Sequence, residues 1–227
     1  MATATDFAPY TPSFEPMDWS LRVSPNLPDV NAYLPEHGGY HDDSIDVRVE
    51  TFYEGQTLCY AMYVKIADIS QFRCGTGSGR PPYSQAVLVA TMAKKFHAVC
   101  AVNGDYFGYH TEGIVFRNTH QIRVRPVSRR DTLIVDMNGD FHIITRTTAE
   151  KWQAYLNAGG TVVHTFTFGP ALVIDGEVNP DAGATALDVG KNKHIQRTAM
   201  GQVDELTYVF VTCDGPENVS GSGLTVQ

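Results

Sequence analysis

The sequence predicts an α/β chain in the α+β sense: a single domain with a mixed, largely antiparallel β-sheet and a few covering helices. Three observations predict it. Short apolar runs with period-two alternation come in pairs separated by turn residues such as Glu54–Gly55 and Asn138–Gly139. A helical pattern after Ser84 leads straight into the apolar run Ala98–Val102. No internal repeat, sustained heptad or long Gly/Ser or charge-rich linker divides the chain.

The elements follow in order. Residues 1–38 carry Pro9, Pro12, Pro16, Pro25, Pro28 and Pro35, which rule out a regular helix and predict an irregular arm. Within it Trp19, Leu21 and Val23 alternate with polar residues and suit one edge strand. The main domain is expected over 39–227. Ile45–Val49 and Cys59–Ile66 alternate as half-buried strands around the Glu54–Gly55 turn. Gly75–Pro82 is a flexible loop, because its GTGSG lacks a following GK[ST] and runs into Pro81–Pro82. Ser84 is placed to cap a helix whose Val89, Ala93 and Phe96 share a face. The continuous apolar run Ala98–Val102 then predicts a central strand.

Downstream the pattern is mostly β. Ile114–Phe116 and Ile122–Val124 flank a turn at Asn118, and Leu133–Val135 and Phe141–Ile144 flank Asn138–Gly139. Thr148–Ala158 predicts a second helix that stops at Gly159. Strands are expected near Thr161–Phe166, Ala171–Ile174, Gln196–Met200 and Leu206–Cys213, with Asp175–Gly176 as an ordinary hairpin turn.

Composition narrows the function. The 227 residues are 43% hydrophobic, enough for a substantial core. A net charge of −8 and a pI near 5.4 argue against a nucleic-acid or anionic-membrane partner, so any phosphate recognition is local. The one basic cluster, Arg123, Arg125, Arg129 and Arg130, reads as a solvated strand and loop. No apolar run approaches the roughly 20 residues that span a bilayer. Cys59, Cys74, Cys100 and Cys213 include no CxxC pair, which argues against a zinc ribbon or redox motif. Buried free thiols are expected; a disulfide at Cys59 or Cys74 stays open, with no partner deducible. His41, Asp42 and Asp43 are adjacent and point to alternate faces, and His110 with Glu112 is no better placed, so neither metal nor other cofactor is expected.

The most informative stretch is AVNGDYFGYHTEGIVF, from Ala101 to Phe116, where an apolar run halts at Asn103, Gly104 and Asp105. Asn-Gly is a hairpin signal, and an amide and a carboxylate at a strand end are also a common setting for chemistry. Both readings stand on these residues. Further on come TFTFGPALVIDGE (Thr165–Glu177), RTAMGQ (Arg197–Gln202), CDG (Cys213–Gly215) and SGLT (Ser222–Thr225).

In this order, these segments resemble the phosphodiester glycosidase family, from about Tyr40 to the last residue. NGDYF is similar to its N-G-x-F-like element, FGPALVIDGE to G-P-x-L-V-x-D-G, and RTAMG to R-T-A-I-G. The family usually continues past S-G-L-T into an N-x-D-G-G-G-S-like segment, and this chain stops at Gln227. A part of the site is therefore expected to be missing, through truncation or in a natural short form.

The resemblance implies a hydrolase that releases an N-acetylglucosamine-type sugar from a sugar 1-phosphodiester in an extracytoplasmic setting. Such a reaction breaks the anomeric C–O bond through an oxocarbenium-like state, with carboxylates near that carbon. The phosphate leaves as a stabilised anion, so groups that hold it matter more than a strong acid. Arg197 matches that role, because its planar fork pairs with two phosphate oxygens. Asp105 and Asp214 are the candidate catalytic carboxylates, each beside a glycine at the end of an apolar run. Asn103 suits a sugar hydroxyl or acetamido group, and Tyr106 and Phe107 suit the pocket walls. Gly104, Gly169, Pro170, Thr198 and Gly215 complete the candidate substrate-binding set, with Gly169–Pro170 shaping a loop that brings backbone amides to the ligand. Asn103, Asp105 and Arg197 are expected to converge on one cleft. The competing readings are a noncatalytic glycan- or anion-binding module and a structural envelope module.

Overall fold

The structure, a computed structural model, describes residues 27–36, 38–78, 81, 83–185, 193–216 and 223–226. Trp19, Leu21 and Val23, most of the N-terminal arm, and Ser222 lie outside them. The chain forms two compact units: one from Met1–Phe72, Val89–Asn103 and His194–Leu224, the other from Arg73–Leu88, Gly104–Lys193 and Thr225–Gln227.

The first unit opens with β1 (Tyr33–Leu34), β2 (Gly39–His41), β3 (Ile45–Glu54) and β4 (Thr57–Ile66). Sheet pairing thus begins at Tyr33, inside the stretch expected to be irregular. The β3–β4 hairpin runs in unbroken register from Ile45↔Ile66 to Glu54↔Thr57, and Gly55 takes a φ of +58° to close it. Asp42 does not pool with His41 and Asp43. Its carboxylate instead organises a turn, accepting from Tyr40 Oη, Ser44 N at 2.7 Å and Ile45 N at 2.7 Å.

Helix α1 (Val89–Lys95) starts five residues after the expected cap, Ser84. The preceding backbone is closely packed and irregular: Tyr83 has a φ of +60°, a Cβ on Gly108 would lie 2.2 Å from Tyr83 O, and one on Gly77 2.5 Å from Gln85 O. Ser84 O is occupied as an acceptor for Tyr109 Oη. The run Ala98–Val102 is not a strand. The central place in the six-stranded sheet belongs to β4, so helix and apolar run form no parallel β-α-β unit.

The second unit carries β5 (Gly113–Arg117), β6 (His120–Arg125), β7 (Thr132–Val135), β8 (Phe141–Ile144), α2 (Ala149–Asn157), β9 (His164–Phe166), β10 (Val173–Ile174), β11 (Glu177–Val178) and α3 (Ala182–Thr185). The hairpin turns fall as expected, with Asn118, Thr119 and Gly139 at positive φ, and Asp175–Gly176 likewise. Thr148 caps α2 through Lys151 N, and Gly159 follows its end at φ +88°. Trp152 of α2 packs with Ile114 and Ile134 as the core of this unit.

Strands β5 and β9 meet through threonine hydroxyls. Ile114 N donates to Thr167 Oγ1 at 3.2 Å and Phe116 N to Thr165 Oγ1 at 2.9 Å, while both hydroxyls donate to Ile114 O. The TFTF pattern therefore supplies the polar partners that a backbone ladder would otherwise provide.

The chain returns to the first unit with β12 (Arg197–Asp204) and β13 (Thr207–Cys213), giving the sheet order β1-β2-β3-β4-β13-β12. Every strand pair among the described residues is antiparallel. The fold is mixed α+β with mostly antiparallel sheets and few helices, as the hairpin spacing predicts. No described helix is long and apolar enough to cross a membrane.

Candidate active site

The first unit gathers five of the expected site residues, Asn103, Arg197, Thr198, Asp214 and Gly215, at the end of the β12–β13 hairpin away from its turn. Register places Arg197 opposite Cys213 and Thr198 opposite Thr212, with Asp214 next in the chain. Asp214 N donates to Leu58 O at 3.0 Å, which extends the β13–β4 ladder by one residue and fixes where its carboxylate begins. From outside the hairpin, Asn103 reaches this end: Thr198 Oγ1 donates to Asn103 Oδ1 at 2.7 Å, across 95 residues of sequence.

Arg197 is half-buried. Its Nε donates to Leu224 O at 3.0 Å, tying the SGLT segment to the same strand end, where Ile195 and Leu224 also form a β-bridge. Burial lowers the Arg197 pKa from its ordinary value, partly offset by Cys213. Gly215 is buried, and a Cβ there would run 2.4 Å from Gln196 Cδ, so its lack of a side chain makes room for Gln196.

Asp105 belongs to the second unit and has different surroundings. Its side chain is 5% exposed and forms a buried ion pair with Arg117, itself 7% exposed. Asp105 Oδ1 accepts from Arg117 Nη2, and Oδ2 accepts from Thr167 N at 3.4 Å. The Arg117 guanidinium also donates to Phe116 O at 2.8 Å and to Thr165 O, and lies between the Phe107 and Phe166 rings at 4.8 and 4.7 Å. Both carboxylate oxygens expected to do chemistry are thus engaged inside the fold. Neither Asn103 nor Gly104 has the positive φ of an Asn-Gly hairpin turn, so the halt in the apolar run is not a turn of that type.

Arg117 was invisible as a functional candidate in the sequence, where it ends an apolar run. The basic cluster is expected to be solvated; Arg125 and Arg129 are exposed as expected, while Arg123 is half-buried. Arg123 Nη1 donates to His110 O at 2.5 Å and Nη2 to Phe107 O at 3.1 Å; Arg125 Nη1 reaches Thr111 O at 3.4 Å; Arg129 pairs with Glu112. Arg130 is buried. Arg117, Arg123, Arg125 and Arg129 tether the segment Asp105–Glu112, through its two carboxylates and through carbonyls that lack a sheet partner. The clue in the sequence was Arg123 and Arg125 at i and i+2, on one face of a strand.

Phe107 is buried against Tyr83 and Arg117, a packing residue rather than an open wall. Tyr106 is 43% exposed, with its ring edge-on to Phe168 at 4.7 Å and beside His110 at 4.9 Å. A Cβ on Gly169 would meet nothing within 4 Å, and one on Gly104 only Phe166 at 3.5 Å, so space does not dictate either glycine. The loop after Gly169–Pro170 is held by Asp131, which accepts from Ala171 N at 2.9 Å and Arg146 N at 2.8 Å.

Comparison with known proteins points to the same family. The sequence model of the phosphodiester glycosidase family matches residues 96–227. Among solved structures, the chain is similar to the zebrafish N-acetylglucosamine-1-phosphodiester alpha-N-acetylglucosaminidase catalytic domain auto-inhibited by its pro-peptide. The TM-score is 0.51 at 13% identity, covering 80% of this chain and 64% of that one. This chain thus spans less than two thirds of that domain's length, and at such identity the likeness speaks to the fold alone. No curated protein matches the sequence. With its match over residues 96–227, the chain belongs to the phosphodiester glycosidase family.

Proposed function

We propose that the chain is a glycosidase that cleaves the anomeric C–O bond of a sugar 1-phosphodiester, releasing an N-acetylhexosamine-type sugar in an extracytoplasmic setting. The observation that carries this is that Asn103, Arg197, Thr198 and Asp214, drawn from three separate motif segments, lie at one end of the β12–β13 hairpin, with Asn103 bonded to Thr198. Arg197 holds the departing phosphate, where its fixed charge stabilises the developing anion. Asp214 is the carboxylate beside the anomeric carbon. Asn103, its Oδ1 satisfied by Thr198, offers Nδ2 to a sugar hydroxyl or acetamido oxygen. Asp105 is assigned to structure, as the partner of Arg117.

The same assignment gives the alternative its one support. With Asp105 consumed in an ion pair, a single candidate carboxylate is left at the hairpin end, and a noncatalytic glycan-binding module needs none. The test is incubation of the chain with a synthetic N-acetylglucosamine 1-phosphodiester, following free sugar and phosphate monoester by chromatography. Equal release of both products supports the glycosidase. Saturable binding of the diester without release, in a folded chain, supports the binding module instead.

A further inference from the structure

Cys59 on β4 and Cys213 on β13 are direct register partners, 0% and 7% exposed. The bonding pattern of their ladder follows from its two ends. Asp214 N donates to Leu58 O at 3.0 Å and Ile66 N to Leu206 O at 3.0 Å, so hydrogen-bonded pairs fall on every second position from Leu58–Asp214 to Ile66–Leu206. Cys59–Cys213 lies between two such positions and is a non-hydrogen-bonded pair. Partners of that kind have side chains on one face and Cα atoms about 4.5 Å apart, inside the window of about 4.4–6.8 Å that a disulfide needs.

We propose that Cys59 and Cys213 form a cross-strand disulfide joining β4 to β13. Neither Cys74 nor Cys100 is the register partner of another cysteine. Cys74 lies in the second unit, its backbone paired with the Asn118 side chain, and Cys100 lines an apolar cavity of about 210 Å³ with Tyr33, Leu34 and Met62. In the structure the four thiols are free. Cys213 Sγ accepts from Arg197 N at 3.3 Å, and Cys59 Sγ donates to Thr57 O at 3.7 Å, so closing the bond requires rotation about the two Cα–Cβ bonds.

The oxidant is a small-molecule disulfide of the glutathione type. One protein thiolate attacks it and displaces one small thiol, leaving a mixed disulfide. The second thiolate then displaces the other small thiol. The two cysteines lose two electrons and two protons, and the oxidant becomes two thiols. Burial raises the Cys59 pKa and keeps its thiol protonated, so the exchange belongs to folding, while β4 and β13 are still open. The bond closes a loop of roughly 150 residues, long enough for a large loss of unfolded-state entropy. It also anchors the strand end that carries Asp214 and faces Arg197.

The test folds the full chain in a glutathione redox couple and, separately, in excess reductant. The oxidised sample is then denatured, its free thiols counted, and its unreduced peptides mapped by mass spectrometry. Two free thiols and one cross-linked pair containing Cys59 and Cys213 are expected, with a melting midpoint on the order of 10 °C above the reduced sample. That gap disappears in Cys59→Ala and in Cys213→Ala. Four free thiols after oxidative folding, or a bond to Cys74 or Cys100, overturns the proposal. Because the mapping uses the unaltered chain, this outcome does not depend on either variant folding.

Discussion

Asn103 and Asp105 stand two residues apart and end in opposite surroundings. Asn103 is exposed and hydrogen-bonded to Thr198 at the edge of the six-stranded sheet, while Asp105 is buried against Arg117 in the other unit. Residue type does not separate them, since both are short polar side chains after an apolar run. Their partners do. An exposed amide with a spare donor is available to a ligand, whereas a desolvated carboxylate already paired with a guanidinium is not available without leaving a buried charge uncompensated. On the proposed function, this motif contributes its first residue to binding and its third to structure.

Substitutions that hit only one of these regions sharpen the comparison. The largest effect is expected at Asp214→Asn, which removes a charge at the candidate site with little change in size. Turnover of a sugar 1-phosphodiester falls by about 10³-fold or more, with an unchanged melting midpoint. A loss of stability instead would move Asp214 to the structural side. In the other region, Arg117→Ala leaves Asp105 unpaired and costs about 3–5 kcal/mol of stability in urea unfolding. A change below about 1 kcal/mol would show that the pair contributes as little as an exposed one.

Arg197→Lys keeps the charge but loses the two-pronged geometry, and kcat is expected to fall by about 10²-fold with little change in sugar binding. Unchanged kinetics would remove Arg197 from the phosphate site. Thr198→Val deletes the hydroxyl that orients Asn103 and is expected to raise KM about tenfold, the worth of one hydrogen bond to a ligand.

The smallest effect is in pH dependence, measured under reducing conditions. Burial raises the Cys74 thiol to about 11, with Asp105 adding to the rise and Arg117 opposing it, and pushes Cys100 to about 12. A buried neutral thiol stabilises the fold at pH values where the unfolded thiol has ionised least, so the contribution is intact below about 9. It is lost as pH rises towards 11–12. Urea midpoints are therefore expected to decline across that range, and replacing Cys100 with Ala is expected to flatten the decline.

Much of the fold was legible because it is locally encoded. The turns at Gly55, Asn118 and Gly139 and the Thr148–Gly159 bounds of α2 depend on residues a few positions apart. What failed depends on distant packing. Helix α1 begins after a closely packed, irregular stretch at Tyr83–Leu88, and Ala98–Val102 takes no place in the six-stranded sheet, where β3 and β13 flank β4. Motif order named Asn103, Asp105, Arg197, Thr198 and Asp214 as candidates; the sheet register places Arg197, Thr198 and Asp214 at one strand end, and a hydrogen bond to Thr198 places Asn103. The burial of Asp105 was not legible, because Arg117 has no mark in the sequence that separates a buried cation from an exposed one. The tether at Arg123 is hidden for a related reason: its acceptors are the backbone carbonyls of His110 and Phe107, which no side-chain pattern reveals.

The division between Asn103 and Asp105 is tested most directly by turnover per folded molecule in Asp105→Asn. Asparagine preserves the shape but withdraws the charge facing Arg117. The protein is expected to melt at a lower temperature while each folded molecule turns over a sugar 1-phosphodiester within about tenfold of the unaltered chain. A loss of about 10³-fold with an unchanged melting midpoint would make Asp105 the catalytic carboxylate and contradict its structural assignment.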